Sequence, residues 1–129
     1  METVIEKSTH RISFNYKNGR VRVYKRVIEA LGNPPYIQFL IQPEEKQFFI
    51  CGLDHREIDS FPVVQYVDSR NQGVVLNGQR FIRRVSEIAG WDLEKTHVVC
   101  GEHIADMKMF RFDLMHAMCV GETHCGSQL

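Results

Sequence analysis

Residues Asn18 to Gly32 read NGRVRVYKRVIEALG, and three structural signals lie inside them. The pair Asn18-Gly19 separates an apolar and polar alternation over Ile12 to Tyr16 from a second one over Arg20 to Val23, the pattern of a tight β-hairpin. Tyr24, Val27, Ile28 and Leu31 then recur at three and four, which predicts one face of a helix of about two turns. Gly32-Asn33-Pro34-Pro35 stops that helix. Tyr36 to Ile41 reads as a strand, Gln42 to Lys46 as a turn and Gln47 to Cys51 as the returning strand. The unit is hairpin, short helix, hairpin.

The same stretch has an echo further on. Lys25 to Gly32 (KRVIEALG) and Arg83 to Gly90 (RRVSEIAG) share, in register, a basic pair, a Val, a Glu and a terminal Gly. Asn77-Gly78 answers Asn18-Gly19, and Phe81-Ile82 answers Val23-Tyr24. Thr96 to Cys100, a turn at Gly101 to His103, and Met107 to Phe112 mirror the second hairpin. Asp54 and Asp113 each read as the N-cap of a short trailing helix, over 54–58 and 113–118. The sequence thus predicts one domain over 1–129, with repeats at 12–58 and 72–118 and a flexible tail at 119–129. The joint 59–71 contains the apolar run Phe61 to Tyr66, so it is expected to pack or pair as an edge strand. One copy has too few strands to hide its edges, which is a physical reason for duplication. The fold class is α+β and β-rich.

The composition is that of an ordinary globular chain: 129 residues, 43% hydrophobic, 25% charged, with sixteen basic residues balancing sixteen acidic ones. No apolar run approaches the roughly 20 residues that span a bilayer, and the first residues are too polar for a signal-peptide core, so no membrane association and a cytoplasmic location are expected. Four cysteines in such a chain are expected to be reduced. Charge is nonetheless unevenly placed. Lys17, Arg20, Arg22, Lys25 and Arg26 lie between Asn15 and Val27 with no acid among them, and Arg70, Arg80, Arg83 and Arg84 lie in a second acid-free stretch. Two basic hairpins suit phosphates on two DNA segments, with arginine also able to fork onto guanine. The same residues also fit a plain solvated strand face.

The stretch NGRVRVYKRVIEALG followed by strand, turn and strand resembles the AbrB-like swapped-hairpin domain of bacterial transition-state regulators. The resemblance covers residues 12–51, and two copies in one chain resemble the MraZ-like tandem arrangement. It implies a pseudo-two-fold swapped-hairpin barrel and a DNA-binding transcriptional regulator of bacterial or phage type, with double-stranded DNA as partner and no cofactor. Carried over by position, its binding residues are Arg20, Arg22, Lys25 and Arg26, with Arg80, Arg83 and Arg84 in the second copy; Lys17 joins them by its place in the hairpin. Tyr24 stands where the family usually has Pro, and Gln79 stands where the first copy has Arg20. A non-catalytic protein-interaction or small-ligand module on the same scaffold is the alternative, and a homodimer or protein partner stays open.

Other chemistries have thinner support. Cys100-x-x-His103 across a turn, followed by His116-x-x-Cys119, has zinc-knuckle spacing but lacks paired Cys-x₂-Cys units. His55 beside Asp54 is a conceivable general base, yet no nucleophile elbow, phosphate loop or dinucleotide signature occurs, and the chain is expected not to be an enzyme. Phe39, Phe48, Phe49, Phe81, Trp91, Phe110 and Phe112 are assigned to core, with Trp91 closing the end of the barrel.

Overall fold

Alternation along the strands puts one apolar face on each of them, and the sheet that results closes most of the way around that face. The computed structural model describes residues 10–68, 70, 72–104 and 106–120. Its elements are β1 (Arg11–Asn15), β2 (Arg20–Tyr24), α1 (Lys25–Ala30), β3 (Tyr36–Gln42), β4 (Gln47–Leu53), β5 (Ser60–Pro62), a 3₁₀ turn (Val63–Tyr66), β6 (Gly73–Asn77), α2 (Gln79–Ala89), β7 (Thr96–Ile104), β8 (Met109–Asp113), a second 3₁₀ turn (Leu114–His116) and β9 (Met118–Val120). All pairings are antiparallel, in the order β5-β3-β4-β8-β7-β1-β2-β6, with β9 also on β7. The sheet curls into a β-rich half-barrel with few helices. Its two ends approach each other through the 3₁₀ turn after β5 and a single bridge from Val67 to Val74 of β6.

The inward face carries Ile12 and Phe14, Val21 and Val23, Phe48 and Ile50, Val74 and Leu76, and Phe110 and Phe112, all buried. Phe48 is the hub, with the rings of Phe14, Phe39, Phe81 and Phe112 at 5.2–5.9 Å from its own. Burying each such side chain contributes about 1.5–3 kcal/mol before chain entropy is charged against it. β7 serves two neighbourhoods: His97 to Cys100 pair with β1 and Gly101 to Ile104 with β8. At the change-over a Cβ on Gly101 would stand 2.5 Å from the Phe112 ring, so only glycine lets that ring lie flat on the strand.

The first hairpin, α1 and the second hairpin form where the sequence puts them. Gly19 takes the left-handed conformation (φ +70°) that the turn requires, and Asn15 Oδ1 accepts from the Asn18 amide to hold it. The joint does supply an edge strand, β5. Other expectations are corrected. In the second half the strand precedes Asn77-Gly78 instead of following it, because Val74 and Leu76 are the apolar pair that faces the core, and Gly78 becomes the entry to α2. Gly101 to His103 is strand and not turn, since the β8 ladder runs on to Ile104. No helix forms over 54–58: the Ser60 hydroxyl accepts from the Glu57 amide and donates to the Glu57 carbonyl, closing a turn there instead. Asp113 does cap the Met115 amide, but only a three-residue 3₁₀ turn follows before β9 pairs with β7. Cys119 and Val120, assigned to the tail, are in that strand; 121–129 lie outside the described residues. Cys119 is disulfide-bonded and not reduced, while Cys51 and Cys100 are free. Phe49 is half-buried opposite Arg111 rather than in the core.

Candidate nucleic-acid interface

The period of two that buries Val21 and Val23 turns Arg20, Arg22 and Tyr24 to the outside of β2. β2 pairs with β6, Arg20 opposite Asn77 and Tyr24 opposite Gly73, so each end of this ribbon is the end of one strand and the start of the other. Each strand runs straight into a helix. α1 begins at Lys25, beyond Tyr24, and α2 at Gln79, beyond Asn77.

At the Arg20 end, the Gly78 amide donates to the Gly19 carbonyl (2.8 Å), the Gln79 side chain donates to the Tyr16 carbonyl (2.8 Å) and the Arg83 guanidinium donates to the Tyr16 hydroxyl (2.6 Å). The start of α2 is thereby docked on the β1–β2 turn. This joins Lys17 and Arg20 to Arg80, Arg83 and Arg84, some sixty residues away in sequence. At the other end the Lys25 amide donates to the Gln72 carbonyl (3.1 Å), and Lys25 and Arg26 stand exposed on the first turn of α1. Arg11 lies over the Tyr24 ring there, 4.8 Å from its centre, with its Nε buried and without a hydrogen bond. A five-residue strand spans about 13 Å, which sets the spacing of the two clusters.

The eight basic residues are not equivalent. Arg22 is committed to Asp68 (2.8 Å) in a half-buried ion pair, and Lys17 to Glu94 (3.3 Å) on the surface. Arg83 is held by Tyr16, whose hydrogen bond first and charge second raise its pKa. Arg20, Lys25, Arg26, Arg80 and Arg84 are exposed and make no ion pair among the described residues. The acids on the two helices, Glu29 and Glu87, form no ion pair with either cluster among the described residues. Tyr16, Gln79 and Asp68 were not legible as parts of this surface; their roles come from pairing between distant segments, which no local spacing records.

Among the described residues no group of three His, Cys, Asp or Glu side chains is placed to hold a metal ion. His103 stacks on Phe110 (5.3 Å), His116 pairs with Asp113 (2.8 Å), Cys119 is in its disulfide, and Cys100 sits on β7 opposite Arg11. His55 meets Glu57 (2.6 Å) on an exposed turn. Burial raises the pKa of the Cys51 thiol, which makes it a poor nucleophile. Among the described residues no helix is long and apolar enough to cross a membrane. No family model, no curated protein and no solved structure matches the chain.

Proposed function

We propose that the chain is a DNA-binding regulator of the AbrB-like, swapped-hairpin kind, acting by occupancy and without chemistry of its own. The observation that carries this reading is the β2–β6 pair: exposed Arg20 with Arg80 and Arg84 at one end and Lys25 and Arg26 at the other, none of them in an ion pair among the described residues. The outward face of β2, with β1 on one side of it and β6 on the other, would lie against the duplex, where Arg20 would meet phosphates or base edges. Lys25 and Arg26 at one end, and Arg80 and Arg84 at the other, would take the phosphates on either side and fix the register.

The register of the sheet supports the duplicated architecture. The β2–β6 ladder is centred on Arg22 opposite Val75, and the β4–β8 ladder on Phe49 opposite Arg111. β2 thus meets β6, and β4 meets β8, antiparallel, the pairing of corresponding strands that a two-fold relation between the halves would also give.

The test is fluorescence anisotropy of the purified chain with a labelled generic duplex across a salt series. Five engaged cations predict a log–log salt slope of about −4 to −5. The double variants Arg20→Ala/Arg80→Ala and Lys25→Ala/Arg26→Ala should each weaken binding to every duplex and flatten the slope by about 2. A folded protein that binds no duplex at low salt, or variants that leave the slope unchanged, would overturn the reading.

A further inference from the structure

The place where the half-barrel fails to close is a built recess. A pocket of about 390 Å³ opens between β3 and β6, lined by Phe39, Leu40, Ile41, Phe61, Leu76 and Phe81, with Asp59 and Asn77 at its polar side. Leu40 is 43% exposed at its mouth.

The main chain on both sides of this seam carries unused hydrogen-bonding groups. On β3, the Val63 amide donates to the Pro35 carbonyl and Ile37 lies opposite Phe61, so odd-numbered residues turn their N–H and C=O toward the β5 edge. β5 pairs only as far as Ser60 opposite Gln38; Asp59 then swings into the left-handed region (φ +67°) and carries the chain away. Ile41 is left with an open N–H and C=O. On β6, the Gly78 amide bonds across to Gly19, and the Gly73 carbonyl accepts from Asp68 on the opposite side, so odd-numbered residues of β6 face away from β2. Among the described residues the bridge on that side is Val67 to Val74, which leaves the N–H and C=O of Asn77 open. The other half of the molecule fills its matching seam. There β1 lies between β7 and β2, paired to both, with Ile12 and Phe14 pointing inward.

We propose that the seam between β3 and β6 takes an extended peptide by strand addition. The guest's main chain bonds the open edges at Ile41 and Asn77, and one of its inward-facing apolar side chains fills the pocket, as Ile12 does in β1. Unpaired main-chain donors and acceptors beside an apolar recess select a peptide backbone with alternate apolar side chains. Asp59 is the charged residue of the lining and favours lysine beside the apolar position. This inference does not depend on DNA binding.

The probe is the blocked peptide acetyl-KTVTITK-amide, titrated into ¹⁵N-labelled full-length protein. The expected result is saturable shifts at the amides of residues 39–42 and 75–78, with little change in β7 and β8. A copy of the peptide N-methylated at the alternate amides that face the seam keeps every side chain and should bind at least tenfold more weakly. Asn77→Pro deletes one open-edge donor that the β2 ladder does not use, and should weaken binding by a similar factor while leaving the circular dichroism spectrum unchanged. Leu40→Glu at the pocket mouth is the second variant and should also weaken it. The proposal is overturned if the peptide leaves those amides unmoved, if the N-methylated peptide binds equally well, or if sedimentation shows a stable dimer whose interface already buries the seam.

Discussion

Segments 20–53 and 73–113 run through the same elements, strand, helix and hairpin, yet their neighbours treat them differently. β7 of the second has β8 and β9 on one side and, over His97 to Cys100 on the other, β1, which also pairs with β2 and so closes the sheet there. β3 of the first has β4 on one side and only the three residues of β5 on the other. β1 covers its seam because five residues of unbroken alternation lead straight through the Asn18-Gly19 turn into β2. After β5 the chain instead turns at Val63 to Tyr66 and reaches β6 through one bridge. Similar segments therefore produce one closed and one open side, and the difference lies in the connections.

The sharpest way to test how far the two halves are alike is at their shared core. Phe48 lies opposite Phe112 and Phe110 opposite Ile50, equivalent places on the central β4–β8 pair, and Phe48, Phe110 and Phe112 are buried to within 1%. Phe48→Ala and Phe110→Ala should each cost about 3–5 kcal/mol in urea denaturation. A cost at one site less than half that at the other would show that the core leans on one half.

The starts of β2 and β6 should differ more. Gly73 has φ +140°, and a Cβ there would stand 2.2 Å from the Val23 carbonyl oxygen. Gly73→Ala should therefore cost about 2–3 kcal/mol, from strain plus displacement of the β2 backbone. Arg20, the matching first residue of β2, is exposed, and Arg20→Ala should stay within about 0.5 kcal/mol in the same experiment.

What the sequence disclosed follows the same division. The first hairpin, α1 and the β3–β4 hairpin announce themselves by Asn18-Gly19, by Val27, Ile28 and Leu31, and by Pro34-Pro35, all local signals. The second half is written less clearly. β6 is a nearly continuous apolar run with no turn before it that resembles Asn18-Gly19, and its pairing with β2 is a long-range fact. Gly101 has the appearance of a turn residue but is there for the Phe112 ring. Of the basic surface, the residue types were readable at Arg20, Lys25, Arg26, Arg80 and Arg84. Their union into two clusters was not, because it is made by the β2–β6 register and by Tyr16 under α2.

The smallest effect tests the halves through pH. His97 is the second residue of β7, and its counterpart in β3 is Ile37; both are buried. The His97 ring lies parallel to Trp91 at 4.4 Å, and burial holds its pKa below the ordinary value; the Lys95 backbone and Asp92 oppose that shift and the Lys95 charge adds to it. An imidazole with a lowered folded pKa takes its proton first in the unfolded chain. Stability is then unaffected at pH 7.5 and falls as the pH drops below about 6.5, the unfolded value. Thermal unfolding followed by Trp91 fluorescence should show this loss as a falling midpoint between pH 7 and pH 5. His97→Ile gives the second half the residue that the first half already has, and should remove that part of the acid sensitivity. An unchanged acid limb in the variant would mean that carboxylates, and not the buried imidazole, set the pH response.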